Sequence, residues 1–150
     1  MSLPPIGKKA PAFTGKNQDG KTISINDFKG KKLVLYFYPK DDTPGCTAQA
    51  CNLAENHKTL LDMGYAVVGV SPDDEKKHTR FIAKYNLPFD LIADTDHSMA
   101  EAFGVWVEKS MYGKKYMGIA RTTFLISPDG KIDDIIEKVD TKNHTEQILP

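Results

Sequence analysis

The 150-residue sequence carries no net charge and has no long hydrophobic run. Its 20 basic and 20 acidic residues cancel, so nothing in the composition predicts a nucleic-acid groove or a polybasic membrane contact. The longest apolar runs, Leu33–Tyr38 and Ala66–Val70, are far too short to cross a bilayer, and the first residues lack the apolar core of a signal peptide. We therefore expect a cytoplasmic protein that binds neither nucleic acid nor membranes and whose function lies in a localised site.

Cysteine is also scarce, because the sequence contains only Cys46 and Cys51. It has no C-x-x-C motif and no second cysteine pair, and its four histidines are scattered without the spacing of metal ligands. A zinc site is therefore poorly supported, and we expect no metal. A chain of this length needs no disulfide or metal for folding, and we expect one domain over residues 1–150. A lone cysteine pair in a reducing compartment more often serves catalysis or redox sensing than architecture.

Both cysteines lie in one segment, residues 39–51, with the sequence PKDDTPGCTAQAC. Thr43 suits the N-cap of a helix, Pro44 suits its first position, and Gly45 allows a small ligand to approach the backbone. Cys46 then falls in the first helical turn, where unpaired N–H groups and the helix dipole favour a thiolate over a thiol. The pattern indicates a nucleophilic cysteine, with a helix that merely contains a cysteine as the alternative.

The spacing of the two cysteines limits how they can bond. In an ideal helix, five residues separate the Cα atoms of Cys46 and Cys51 by about 8.7 Å. A disulfide requires less than about 7 Å, so a bond between them requires the first turns of the helix to unwind. A bridge closing so short a loop would also add little as a structural crosslink. We interpret the pair as a switch between two local conformations.

The order of hydrophobic patterns predicts an α/β fold. The two apolar runs, Leu33–Tyr38 and Ala66–Val70, have the length of buried strands. The segment between them, from Pro44 to about Met63, has a helical apolar stripe, and a connection of this length crosses over the sheet and joins parallel strands. The next predicted elements are a helix that the segment Ser71-Pro72-Asp73-Asp74-Glu75 opens and that runs to about Tyr85, and a short strand Phe89–Ala93. They are followed by a short helix around His97 to Phe103, a hairpin of Ile119–Ser127 with Lys131–Val139, and a final helix Asn143–Leu149. We expect a thioredoxin-like fold, a central mixed β-sheet sandwiched by helices, with an N-terminal β-hairpin extension.

The segment that contains the cysteines resembles the active-site loop of peroxiredoxins. Pro39, Thr43 and Cys46 match the family's P-x-x-x-T-x-x-C loop. The arrangement T-P-G-C-x-x-x-A-C, which includes Cys51, is similar to the peroxiredoxin Q subfamily, also called bacterioferritin comigratory protein. Other similar segments, from residues 7–13 to residues 112–126, follow in the same order, so the resemblance covers nearly the whole chain.

The resemblance implies a role for each matching residue. Cys46 would be the peroxidatic cysteine and Cys51 the resolving cysteine. The residues that would shield the thiolate or bind and orient the peroxide are Pro39, Thr43, Gly45 and Arg121. Gln49 occupies a position where peroxiredoxins often carry Glu, so a neutral amide replaces any acidic hydrogen-bonding group there.

The implied activity is a thiol peroxidase that reduces hydrogen peroxide and organic hydroperoxides without metal, haem or flavin. Thioredoxin or a similar dithiol protein would recycle its disulfide, and the protein would be a monomer. Two other interpretations are open at this point. One is a thioredoxin-like protein disulfide reductase, although that chemistry usually uses C-x-x-C. The other is a non-enzymatic redox sensor or holdase, in which a Cys46–Cys51 bond changes a partner surface.

Overall fold

A computed structural model describes residues 2–149 of the chain. Its α-helices are α1 Pro44–Glu55, α2 His57–Asp62, α3 Glu75–Tyr85, α4 Ser98–Ala102 and α5 His144–Ile148, and a 3-10 turn covers Ile25–Phe28. Its strands are β1 Thr14–Lys16, β2 Thr22–Ser24, β3 Lys32–Phe37, β4 Tyr65–Ser71, β5 Asp90–Ala93, β6 Trp106–Met111, β7 Lys114–Ile119, β8 Thr122–Ile126 and β9 Ile132–Ile136.

A mixed five-stranded sheet in the order β5-β4-β3-β8-β9 forms the centre of the fold. Strand β3 pairs in parallel with β4 and antiparallel with β8. The parallel pairing of the two apolar runs, with helices between them, is therefore confirmed. The hairpin of β8 and β9 and the N-terminal hairpin of β1 and β2 are confirmed as well.

Strand β3 is buried on both faces, which explains its continuous apolar sequence. Its alternate side chains enter two different cores. One core contains Leu33, Leu35 and Phe37 with residues of α4 and the N-terminal segment. The other contains Val34 and Tyr36 with residues of α1, α2, α3 and α5. The two cores fix β3 firmly, and the chain leaves its carboxyl end directly into the loop that precedes α1.

Gly69 of β4 leaves room for the ring of Tyr36, which lies on the neighbouring strand β3 and packs over the glycine. The two residues are paired in register, and a Cβ atom at position 69 would lie 2.8 Å from the Tyr36 ring atom Cζ. Any larger side chain would displace this ring from the core. Gly69 is therefore a packing requirement for the strand that leads to the cysteine segment.

Two parts of the fold differ from the sequence-based prediction. The helix expected from Pro44 to Met63 breaks at Asn56, whose backbone leaves the helical region (φ −104°, ψ 10°). The Asn56 side chain donates to the carbonyl of Asn52 at 2.8 Å, beside the backbone N–H of Asn56 at 3.3 Å, and so stabilises the end of α1. The predicted strand from Ile119 is interrupted, because Ile119 ends β7 and β8 begins at Thr122. Strands β6 and β7 form a hairpin that the sequence analysis missed, since their mostly exposed residues lack a clear apolar alternation.

None of the helices within residues 2–149 is both long and apolar enough to span a membrane.

Candidate active site

Cys46 is the third residue of α1 and lies just beyond the carboxyl end of β3. Its side chain is 2% exposed and its thiol is free. Within the described part of the chain, no acceptor meets the N–H groups of Gly45 and Cys46. The unpaired donors of the helix N-terminus are thus available beside the sulfur, as the sequence predicted.

Thr43 occupies the N-cap position but does not cap the helix with its side chain. Its backbone is extended, and its carbonyl accepts the first helical hydrogen bond, from Thr47 N–H at 2.8 Å. The hydroxyl instead donates to the carbonyl of Lys40 at 2.8 Å. The side-chain cap suggested by the sequence is therefore absent among the described contacts. The hydroxyl oxygen keeps its lone pairs for another donor.

Arg121 lies in the break between β7 and β8, which directs its guanidinium toward the start of α1. Its Nη2 donates to Cys46 Sγ at 3.3 Å, and its Nη1 donates to Gln49 Oε1 at 2.8 Å. A Cβ atom at Gly45 would lie 3.2 Å from Nη2. The missing side chain of Gly45 thus leaves room for the guanidinium as well as for a ligand.

Gln49 is fully buried and orients the Arg121 guanidinium. Its Nε2 has no hydrogen-bond partner among the described residues. Because the amide is neutral, it fixes the direction of the guanidinium without neutralising its charge. The positive charge of Arg121 therefore acts mainly on Cys46 and on whatever binds next to it.

Cys51 lies further along the same helix, where its thiol is free and half-buried. Burial raises the pKa of the Cys51 thiol, and the nearby Glu55 carboxylate raises it further. Cys51 is therefore kept as a neutral thiol while α1 stays helical. The structure shows the helical arrangement in which the two cysteines are not bonded.

A buried hydrogen-bond network anchors the loop between β3 and α1. Asp41 accepts from the Tyr38 hydroxyl at 2.5 Å, and its other carboxylate oxygen lies 2.6 Å from His78 Nδ1. His78 Nε2 lies 2.9 Å from the carbonyl of Ile92, which can only accept, so this nitrogen carries a proton. The Asp41 N–H also donates to Asp73 at 2.8 Å. These bonds tie the loop to α3, to β5 and to the segment between β4 and α3.

The sequence analysis missed this anchoring role. Asp41 lies inside the cysteine segment, and His78 lies on the apolar face of α3 together with Phe81. A histidine on the buried face of an amphipathic helix requires polar partners, which is the signal that could have identified it. The partners themselves could not be named from sequence, since they are distant along the chain.

Two further residues border the site. Pro39 lies half-buried in the loop that follows β3. Lys109 of β6 is half-buried, and its pKa is lowered by burial and by the charge of Arg121, whereas Cys46 raises it. The β6–β7 hairpin therefore lies close to the cysteine, a placement that its sequence did not indicate.

Within residues 2–149, no three His, Cys, Asp or Glu side chains converge in a way that could hold a metal ion.

Residues 6–135 match the AhpC/TSA family. The chain is a peroxiredoxin of this family. It is 47% identical over 144 residues to peroxiredoxin Bcp of Bacillus subtilis (strain 168), covering 96% of this chain and 92% of that protein. A PrxQ structure from Xylella fastidiosa superposes with a TM-score of 0.92 at 33% identity, covering 99% of this chain and 95% of that one.

A third similar protein is the bacterioferritin comigratory protein of Xanthomonas campestris. Its structure has a TM-score of 0.89 at 35% identity and covers 97% of this peroxiredoxin and 95% of its own chain. The thioredoxin-like α/β fold and the resemblance to peroxiredoxin Q are therefore confirmed. The roles of the individual site residues stay predictions.

Proposed function

We propose that this peroxiredoxin reduces hydroperoxides with Cys46 as the attacking thiolate and Cys51 as the resolving thiol. Family membership makes it a thiol-dependent peroxidase. The observation that carries the residue assignment is the donation from Arg121 Nη2 to Cys46 Sγ at 3.3 Å, at the start of a helix. Among residues 2–149, no cationic side chain donates a hydrogen bond to Cys51, and the pKa of Cys51 is raised, mainly by burial. Of the two sulfurs, Cys46 is thus the one placed to act as a thiolate.

In the first step, the Cys46 thiolate attacks one oxygen of the peroxide and the O–O bond breaks. The products are a Cys46 sulfenic acid and water or an alcohol, after the leaving oxygen takes a proton. Arg121 and the free N–H groups of Gly45 and Cys46 surround the sulfur with fixed donors. These donors stabilise the negative charge as it moves to the leaving oxygen, and Thr43 can orient the substrate.

In the second step, the Cys51 sulfur attacks the sulfenic acid, which forms the Cys46–Cys51 disulfide and releases water. In an ideal α-helix the Cα atoms of Cys46 and Cys51 are about 8.7 Å apart, which is too far for a disulfide. Part of α1 must therefore unwind before the bond forms. In the third step, an external dithiol transfers two electrons and restores both thiols.

The family and the site support a proposal for the substrates and partners. The solved structure of the Xanthomonas campestris protein is described in terms of alkyl peroxide reduction, and we propose hydrogen peroxide and organic hydroperoxides as substrates here. We propose thioredoxin or a similar dithiol protein as the reductant, a cytoplasmic location, and a monomer. Light scattering during gel filtration tests the monomer, and turnover coupled to thioredoxin and its reductase tests the reductant.

The first experiment measures intact mass and free thiols after one equivalent of hydrogen peroxide, quenched within seconds. We expect wild-type protein to lose two hydrogens and both thiols, and Cys51→Ser to gain one oxygen. Cys46→Ser is the matched control and should not react on this timescale. Unchanged mass in the wild type would contradict the proposed function and favour a disulfide reductase or a redox sensor.

A further inference from the structure

The residue that follows the resolving cysteine is attached to the C-terminal helix. Asn52 Nδ2 donates to the carbonyl of Lys142 at 2.9 Å, and Asn52 Oδ1 accepts from the Thr145 N–H at 2.8 Å and from the Thr145 hydroxyl at 2.7 Å. We call these three contacts the Asn52 clasp. They use both polar atoms of the amide, and Thr145 is buried.

Helix α5 is itself held on the central sheet, so the clasp connects α1 to a fixed support. His144 Nε2 lies 2.8 Å from the hydroxyl of Thr123 on β8, and its Nδ1 lies 2.8 Å from Gln147 Oε1. Ile148 packs in the same core as Leu53 of α1. The clasp therefore does not move freely with α1.

The clasp opposes the conformational change that the second step requires. To bring Cys46 and Cys51 within bonding distance, the backbone that carries Cys51 must leave its helical path. Asn52 is the next residue along the chain, so its side chain must move when the backbone at Cys51 moves. Breaking the clasp would leave the buried Thr145 N–H without its partner, which adds to the cost of unwinding.

We propose that the Asn52 clasp holds α1 helical and thereby sets how fast Cys51 reaches the oxidised Cys46. This inference rests on the proposed function of the two cysteines. While Cys51 is held away, the Cys46 sulfenic acid is exposed to a second peroxide, which converts it to a sulfinic acid and releases water or an alcohol. Disulfide formation, which releases water, competes with that oxidation. A stronger clasp slows the disulfide and increases loss to sulfinic acid.

The principal test uses Thr145→Val, which removes one hydroxyl donor of the clasp without altering the sequence of α1. Thr145→Ser keeps the hydroxyl and is the matched control. After a pulse of hydrogen peroxide, rapid quenching and intact mass give the rates of sulfenic acid and disulfide formation. We expect Thr145→Val to form the disulfide about fivefold faster, a change equivalent to about 1 kcal/mol. Thr145→Ser should resemble the wild type.

Asn52→Ala removes all three contacts and leaves only the long bond from the Thr145 hydroxyl to the backbone carbonyl of residue 52, at 3.4 Å. We expect about tenfold faster disulfide formation even though alanine favours the helix. In the double variant, Thr145→Val should then add little, which a double-mutant cycle detects independently of helix propensity. The peroxide concentration at which half of the protein is converted to the Cys46 sulfinic acid should rise by the same factors as the rate of disulfide formation. The rate of sulfenic acid formation, measured with Cys51→Ser, should stay unchanged because the clasp does not contact Cys46.

The outcomes separate this inference from the proposed function. Disulfide formation that is unchanged or slower in Thr145→Val and Asn52→Ala would overturn the inference and leave the peroxidase cycle intact. A wild-type protein that forms no Cys46–Cys51 disulfide would overturn both. Faster disulfide formation accompanied by an equally altered sulfenic acid rate would also overturn the inference, since it would show a general change in the site.

Discussion

The contact between Arg121 and Cys46 allows a quantitative test of the proposed first step. Arg121→Met removes the charge and both donors, whereas Arg121→Lys keeps a charge but not the planar fork. In the wild type, one fork nitrogen lies 3.3 Å from Cys46 Sγ and the other lies 2.8 Å from Gln49 Oε1. A lysine ammonium cannot reproduce both contacts with the same fixed direction.

The expected size of the effect follows from these contacts. A hydrogen bond to a charged group contributes about 1.5–3 kcal/mol, and each 1.36 kcal/mol changes a rate about tenfold. Arg121→Met should therefore slow the oxidation of Cys46 by about 10- to 150-fold. Arg121→Lys should lie between the wild type and Arg121→Met.

The measurement is the second-order rate constant for sulfenic acid formation in a Cys51→Ser background, which isolates the first step. Lys109→Met is the matched control, because it removes a nearby positive charge that donates no described hydrogen bond to Cys46. We expect less than a threefold change for this control. A rate constant for Arg121→Met within threefold of the unsubstituted protein would refute the role of the guanidinium. An equal loss of rate in Lys109→Met would show that any positive charge near Cys46 has this effect and that the hydrogen bond from Arg121 is not required.

Three further predictions follow from the buried polar groups. Gln49→Leu should lower the first-step rate about fivefold by releasing the guanidinium, while urea unfolding should show a loss below about 1.5 kcal/mol, because removal of the unpaired Nε2 offsets part of the lost bond to Arg121. His78→Phe should cost about 3 kcal/mol in urea unfolding by leaving Asp41 without its buried partner, and a loss below about 1 kcal/mol would contradict this. Burial lowers the pKa of His144 in the folded protein, so the unfolded state binds a proton at a higher pH than the folded state does. The melting temperature should therefore fall as the pH drops below about 6.5, the usual pKa of histidine. His144→Gln should make this decline smaller between about pH 7.5 and 5.5.

Local patterns in the sequence were sufficient to predict the main elements and to place Cys46 in the first turn of a helix. A continuous apolar run such as Leu33–Tyr38 is stable only when both faces are covered, so it indicates a central strand wherever the covering residues come from. The Pro44-Gly45-Cys46 start of α1 follows from helix-end chemistry that depends on neighbouring residues alone. Motif resemblance added Arg121, which no local pattern would have connected with Cys46.

The remaining features depend on contacts between residues that are distant in the chain. Arg121 and Cys46 are separated by 75 positions, Asn52 and Thr145 by 93, and Asp41 and His78 by 37. Nothing in the spacing of such residues indicates that they meet. Packing of two cores against one sheet brings them together, and burial then requires each polar group to find a partner. The direction of the guanidinium, the anchoring of the loop and the Asn52 clasp therefore became visible only in the folded chain.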